Sequence, residues 1–286
     1  MLPTSDYCNR ENLQRRCGRR LKQSFRLVKT ILLEVGLAEH HFDRVGNGKK
    51  SFEAARHSNA LTVQVTGDLG KRTKYQTKAT AQMVVRAKSA PAATANSQSR
   101  LAEEEEEKKE HVQKQRIEHG EDAILLEKIQ FEQDTKVDDL SILDQSILLA
   151  LCLDVKNSNP ADGLTGEQMG AFLARVLEHH NDWMIYSTAL LERAWLEFER
   201  SHARERAILQ LQALVDQHTN RLTLTQSTRE SIEQSAPVQE RLKNLHSIVY
   251  PPRWSMIQDL ADRYAALGIV TSAEELYMEI EAWDQV

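Results

Sequence analysis

The sequence predicts an all-α fold: a superhelix of stacked helix pairs, divided by a disordered acidic linker. Three observations predict it. Apolar residues recur at helical spacing through most of residues 140–286. The stretch from Pro251 to Val286 reads as a single helix–turn–helix unit, too small to bury its own apolar face, so it needs stacked neighbours. Signals for an all-β fold are weak: the chain has only six prolines and eleven glycines, and no strand-like runs recur at the ~8–12-residue spacing of a sandwich or barrel.

Taken in order, residues 1–20 look irregular and basic. An amphipathic helix is expected from Leu21, with Leu21, Phe25, Val28, Leu32 and Val35 on one stripe. Gly46 to Gly48 reads as a turn, Ser51 to about Val65 as a short helix, and Gly67 to Gly70 as a second turn. A helix from about Lys74 to Lys88 would carry Tyr75, Ala79 and Met83. These elements make residues 1–88 a basic N-terminal helical segment.

Residues 89–120 read as a linker, disordered or charged. The part from Ser89 to Glu110 opens with small and polar residues and continues with five glutamates at 103–107. Low hydrophobicity and like charge do not offset the entropy of ordering such a chain. The pairs Glu104–Lys108, Glu105–Lys109 and Glu110–Lys114 give its second half a transient helical bias, about 0.2–0.5 kcal/mol each.

Residues 121–286 read as the helical array. Ile142 to Val155 is apolar nearly all round and so is expected at the centre. After a loop at Asn157–Gly163, Thr165 to Gln168 reads as a capping box before Met169, Phe172, Leu173, Val176 and Leu177. Asp182 is expected to cap a helix with Trp183, Tyr186, Leu190 and Ala194 on one face and Leu191, Trp195 and Phe198 on another. Two apolar faces imply neighbours on both sides. Ala207, Leu211, Leu214 and His218 mark the next helix, and a polar run from Thr219 to Ser235 follows it. Ser235 with Pro237 opens a helix carrying Val238, Leu242 and Leu245. In the last unit Met256, Leu260, Tyr264 and Leu267 form one stripe, and Gly268 closes it in the left-handed conformation. Thr271 to Glu274 reads as a capping box for a second helix lined by Ala273, Leu276, Tyr277 and Ile280.

Charge is divided unevenly. Residues 1–100 hold 19 Lys or Arg against 7 Asp or Glu, and the remainder holds 18 against 35, for a net charge of −5. The basic part suits an acidic partner or the acidic part of the same chain. Cys8, Cys17 and Cys152 are odd in number and scattered, which supports neither a disulfide framework nor a zinc site and points to a reducing compartment, the cytoplasm or also the nucleus. The longest apolar run, Ile147 to Leu153, is far short of a membrane span, and the N-terminus has no apolar signal region.

Within the last unit, Leu260, Tyr264, Leu267, Gly268, Ala273 and Tyr277 fall where a tetratricopeptide repeat wants a large residue, an aromatic, a turn glycine, a small residue and a second aromatic. Ala261, Ile280 and Gln285 depart from that pattern. Beyond the repeat, Leu148 to Pro160 (LLALCLDVKNSNP), Asp182 to Ala194 (DWMIYSTALLERA) and Tyr250 to Val286 with its PPRW opening resemble the tetratricopeptide repeat protein 27 family, as do Gly70 to Gln76 and Asp122 to Lys128. The matching regions cover roughly residues 61–80 and 120–286; residues 1–60 do not match clearly. The resemblance implies an α-helical superhelix without enzymatic activity, and a role in assembling or maturing other proteins beside the heat-shock chaperone machinery. It also implies further repeats after the last unit, so that this chain would be a fragment or an incomplete gene product.

Chemical motifs are sparse. The pairs His40–His41 and His179–His180, each preceded by glutamate, invite a metal reading. Adjacent helical histidines point about 100° apart, whereas zinc helices use i,i+4 spacing, so no metal is expected. Gly67 to Thr73 lacks the spacing of a phosphate loop, and no nucleophile elbow or Cys/His signature is present, so no cofactor or catalytic residue is expected. Arg10–Lys29 holds eight basic residues and Lys71–Lys88 six, with Lys71, Arg72 and Lys74 as a basic contact. Aromatics beside them are few, so a solvated face or docking site outweighs a nucleic-acid site. The tryptophans at 183, 195, 254 and 283 are expected in the core rather than on a peptide-binding shelf.

The function these features favour is a non-enzymatic protein-binding scaffold. A basic nucleic-acid or ribonucleoprotein-associated factor is the first alternative, and an enzyme without a recognisable motif is the second. Partners are expected to be other proteins, chaperone machinery or its clients among them, with no membrane. The segment Ser272–Trp283 has apolar residues to spare, which predicts self-association through the C-terminal helix.

Overall fold

The computed structural model describes residues 27–73, 75–89, 125–131, 138–179, 182–216, 239 and 242–285, with residues 125–131 described by their backbone alone. Leu21, Phe25, Lys74, most of the linker, His180, His218, the polar run from Thr219 to Ser235, Pro237 and Val238 lie outside the described residues.

The first helix, α1, covers residues 27–41. Its buried face is Leu33, Gly36 and His40, with half-buried Leu37 completing the i, i+3, i+4, i+7 set. Of the stripe expected from sequence, Val28 and Val35 are exposed, because α2 and α3 contact the face turned away from them. Helix α2, Val45–Ser58, begins where a turn at Gly46–Gly48 was expected. The turn lies one step earlier, at Asp43, whose φ is 59°. Close helix approach explains the glycines. A Cβ on Gly48 would sit 2.3 Å from the His40 ring, and one on Gly36 would sit 2.4 Å from Phe52.

The helix expected over Ser51 to about Val65 ends at Ser58. Strand β1, Thr62–Thr73, runs through the expected Gly67–Gly70 turn, and β2, Thr80–Lys88, replaces the helix expected over 74–88. They pair antiparallel from Thr62↔Lys88 to Gly70↔Thr80. β3, Leu125–Phe131, pairs with the other side of β1, so the order is β2-β1-β3. Period-two alternation explains the outcome. Val63, Val65 and Leu69 share one face with Met83, Val85 and Ala87 across the register, while Thr62, Gln64, Thr66 and Asp68 line the other. Val63, Met83, Val85 and Ala87 belong to the main core, and Asp68 pairs with Arg86 at 2.8 Å on the polar face.

Among the described residues follow the helices α3 (Ile142–Ser158), α4 (Gly163–Leu177), α5 (Trp183–Phe198), α6 (Arg204–Asp216), α7 (Arg253–Ala266) and α8 (Val270–Glu279). Each packs on the next, and α3 also touches α5. The described chain is mostly helical and forms the helix-pair array expected from sequence, to which the small sheet is added. α3 is the central helix, with Ile147, Leu148, Leu149 and Ala150 all buried. α5 has two buried faces, as expected, but they divide differently: Met184, Ile185, Ala189 and Trp183 join the main core, whereas Tyr186 and Leu190 join Leu191, Trp195 and Phe198 in a second core with α6 and α7.

Caps set the array's register. Asp182 accepts from the amides of Met184 and Ile185 at 3.0 and 3.1 Å, as expected. The box expected at Thr165 is displaced: α4 starts at Gly163, and Asp162 accepts from the Thr165 amide at 2.7 Å. Leu242 and Leu245 do not continue a helix from Ser235; residues 245–247 form one 3-10 turn before the Pro251–Pro252 break.

The segments before and after the linker share one core. α2 packs on α3 and β2 on α4. Asp144, fully buried, accepts from Asn59 after α2, from Ser89 after β2, and from Ser141, its own N-cap. Arg175 of α4, also buried, donates to the carbonyls of Ala87 and Asp138 and pairs with Glu178 at 2.8 Å.

Candidate protein-binding surface

The repeat signature sits in the α7–α8 hairpin. Leu260, Ala273 and Tyr277 are buried, and Ala261 faces Ala273 and Tyr277 in a small third core. Gly268 has φ 82°. Its amide donates to Ala265 O, and that of Ile269 donates to Tyr264 O, the two hydrogen bonds of a Schellman turn. Tyr264 donates its hydroxyl to Gln212 of α6, and half-buried Leu267 joins the second core. Tyr277 donates to Asp262, and this hydrogen bond, with burial and the nearby carboxylate charge, pushes its pKa up to about 12.

Two expectations for this hairpin fail. The capping box at Thr271–Glu274 does not form: α8 begins at Val270, and Ile269 at the N-cap makes no side-chain bond, because the Schellman turn feeds straight into the helix. Of the four tryptophans expected in the core, Trp183 and Trp195 are half-buried against core clusters, but Trp254 and Trp283 are exposed. Trp254 lies at the start of α7 and Trp283 just past the end of α8. These ends meet, with Arg253 holding Glu279 at 2.6 Å.

A charged and aromatic strip runs across the alternate helices α3, α5 and α7, with Arg204 and Arg206 added from α6. Lys156 of α3 pairs with Glu192 of α5 at 3.0 Å and lies 4.8 Å from the Trp195 ring centroid. Trp195 Nε1 donates to Asp259 of α7 at 2.8 Å, and Asp259 accepts from Arg263 at 3.0 Å. Arg263 lies over the Phe198 ring at 4.4 Å, and Arg204 approaches the same ring at 5.4 Å. Glu197 holds both Arg193 and Arg206. Sequence reading found Trp195 and Phe198 but missed Lys156, Asp259, Arg204 and Arg263, because a helical stripe of apolar residues does not reveal which charges meet across helices.

The other candidates do not converge. Lys71 lies on β1 opposite Gln130; Arg72 contributes described backbone to the same strand, and its side chain and Lys74 lie outside the described residues. Arg86 and Lys88 of the same basic segment pair with Asp68 and Asp138. His40 is buried, stacked on Phe52 with centroids 5.0 Å apart, its Nδ1 3.1 Å from Asn157 and its Nε2 3.6 Å from Asp154. Burial lowers its pKa and Asp154 partly opposes this. His41 is exposed. His179 is held beside Arg175 at 3.0 Å, and burial followed by that cation lowers its pKa. Among the described residues, no three His, Cys, Asp or Glu are placed to hold a metal ion. A cavity of about 30 Å³ between α3, α5 and the 247–249 segment has room for little more than a water molecule. Among the described residues, no helix is long and apolar enough to cross a membrane.

Helices stacked pairwise, with buried faces toward both neighbours and a tetratricopeptide-like final hairpin, define a helical-repeat protein. Comparison with known sequences agrees. The chain is 33% identical over 89% of its length to the TPR repeat-containing protein C19B12.01 of Schizosaccharomyces pombe. It is 31% identical over 91% to the tetratricopeptide repeat protein 27 homolog of Dictyostelium discoideum, and 24% identical over 90% to the tetratricopeptide repeat-containing protein trd-1 of Caenorhabditis elegans. The chain is thus similar, along about nine-tenths of its length, to a tetratricopeptide repeat protein 27 homolog and to other tetratricopeptide repeat proteins, in line with its motifs. It spans about a third of the length of these relatives, covering 34% of the first and 29% of the second. No protein-family model and no solved structure matches it.

Proposed function

We propose that this chain is part of a non-enzymatic scaffold that binds other proteins along the strip from Lys156 to Arg204, and that it aids their assembly or maturation beside chaperones. The strip is the observation that supports this reading: half-exposed aromatic and charged groups from four helices, held in place by contacts to one another. Aromatic and arginine side chains of this kind supply much of the energy of protein interfaces. The names of these three relatives, each a repeat protein, favour the same reading. Free buried Cys152, whose thiol is pushed up by burial, suits a reducing cytoplasm, with the nucleus as the alternative.

The test is affinity capture on the 286-residue chain, followed by cross-linking mass spectrometry. Captured proteins should cross-link to Lys156, and Lys156→Glu should release them. Cross-links confined to Lys49, Lys50 and Lys71 would move the surface to the N-terminal segment and overturn the reading. Salt-sensitive capture of nucleic acid through Lys71–Lys88, in place of protein, would favour the alternative.

A further inference from the structure

We propose that the outer face of α1 docks the α1 of a second copy of this chain, the two helices lying antiparallel. The inference is separate from the strip and does not rest on it.

The exposed stripe is the primary observation. Val28, Ile31, Val35, Ala38 and Phe42 all face solvent, and Leu27 is exposed beside them. Their spacing of three and four residues in turn is that of a coiled-coil seam. Packing within the chain uses the opposite side of the helix, through Leu33, Gly36 and His40. The backbone carries the seam past the end of α1, since Phe42 N donates to Ala38 O at 3.1 Å. The Phe42 ring is 70% exposed and stands edge-on to His41, with centroids 5.3 Å apart. A monomer would hold this whole row of apolar side chains in water.

Area and shape select the occupant. The exposed parts of these side chains present on the order of 500 Å², in the range of the largest patch on a typical monomer. Two copies face to face would remove about 1,000 Å², the lower limit of a specific interface. The stripe is self-complementary about a two-fold axis at the level of residues 36 and 37. There Phe42 of each copy covers Val28 and Ile31 of the other, and Val35 covers Ala38, large against small.

Charge sets the direction. Glu34 and His41 border the seam on one side, both exposed and without an ion pair among the described residues. The other charged groups near the seam are engaged: Lys29 donates to Asn59 at 2.8 Å, and Glu39 pairs with Arg44 at 3.8 Å. In the antiparallel pair, Glu34 of each copy meets His41 of the other, an acceptor against a donor. A parallel pair would set Glu34 against Glu39, two carboxylates.

The test is analytical ultracentrifugation of the 286-residue chain. The wild type should sediment as a reversible dimer with a micromolar dissociation constant, as a small interface gives. Ile31→Glu and Val35→Glu put a charge into the seam and should each weaken the dimer by about tenfold or more. Both positions are exposed, so thermal melts should not move. Where one variant shifts the melt, the other carries the test. Glu34→Lys should weaken the antiparallel dimer by about two- to threefold, and Glu34→Lys with His41→Glu should restore it. A dimer strengthened by Glu34→Lys overturns the antiparallel arrangement. A wild type still monomeric at about 100 µM overturns the proposal and leaves the face to a helix of another protein. A dimer unchanged in the folded Ile31→Glu and Val35→Glu variants, but lost with Trp254→Glu and Trp283→Glu, overturns it in favour of the α7–α8 hairpin.

Discussion

Trp195 and Asp259, 64 residues apart in sequence, are joined by an indole N–H donated to a carboxylate at 2.8 Å, and this bond ties α5 to α7 across the array. The ring is only half-buried, so its packing counts for less than that of a fully enclosed indole. Trp195→Phe should cost about 1 kcal/mol by losing the hydrogen bond, and Trp195→Ala about 3 kcal/mol, the low end for such truncations. Urea denaturation of the two variants checks this; unchanged midpoints would remove Trp195 from the load shared by α5 and α7.

The glycines of α2 give a test of opposite signs. A Cβ on Gly46 meets nothing within 4 Å, so Gly46→Ala should stabilise the helix by about 0.5–1 kcal/mol. A Cβ on Gly48 would press into His40 and the Gly36 carbonyl, so Gly48→Ala should destabilise by about 1–3 kcal/mol. Thermal melts that move the same way for both would contradict the helix crossing described.

Acid should loosen the α1–α3 contact. His40 is buried and its pKa lies below the ordinary 6.5, so the unfolded chain binds its proton more readily than the folded one does. Stability from this group is present above about pH 6.5 and is lost as pH falls below it. His179, lowered for the same reason with Arg175 adding to it, acts in the same direction. Urea midpoints measured between about pH 8 and 5 should decline on the acid side. The slope should flatten in His40→Gln, and a wild-type profile flat through that range would refute the assignment.

Asp144 should be hard to replace. Asp144→Asn keeps the shape but turns one acceptor into a donor among Asn59, Ser89 and Ser141. The expected cost is about 1–3 kcal/mol. Amide hydrogen exchange should show faster opening of residues 59–62 and of the first turn of α3. Exchange rates equal to wild type would mean that the three contacts hold without it.

Of the apolar residues that sequence reading assigned to self-association, Trp283 stays available and Leu276, Tyr277 and Ile280 do not. Tyr277 is buried, and Leu276 and Ile280 pack toward the second core, whereas Trp254, Trp283, Val270 and Met278 are exposed. If the chain associates through this hairpin, Trp254→Glu with Trp283→Glu should shift its sedimentation toward monomer, whereas Thr271→Glu should not. Association insensitive to both tryptophans would place the contact elsewhere.

The sequence by itself determined the helices that carry their own period. The apolar run of α3, the two faces of α5, the Asp182 cap and the Gly268 turn are local features, and each was legible from residues within a turn or two. The family resemblance was legible for a similar reason, since it rests on contiguous motifs. Tertiary structure decided the rest. Gly46–Gly48 reads as a turn from composition, yet it is helical, and at Gly48 the close approach of α1 leaves no room for a side chain. Gly67–Gly70 reads as a turn, yet it is extended because β2 and β3 supply hydrogen bonds on both sides of β1. The strip on α3, α5 and α7 was invisible for the plainest reason. Its pairs, Lys156 with Glu192 and Trp195 with Asp259, lie 36 and 64 residues apart, and only helix stacking brings them within hydrogen-bond reach.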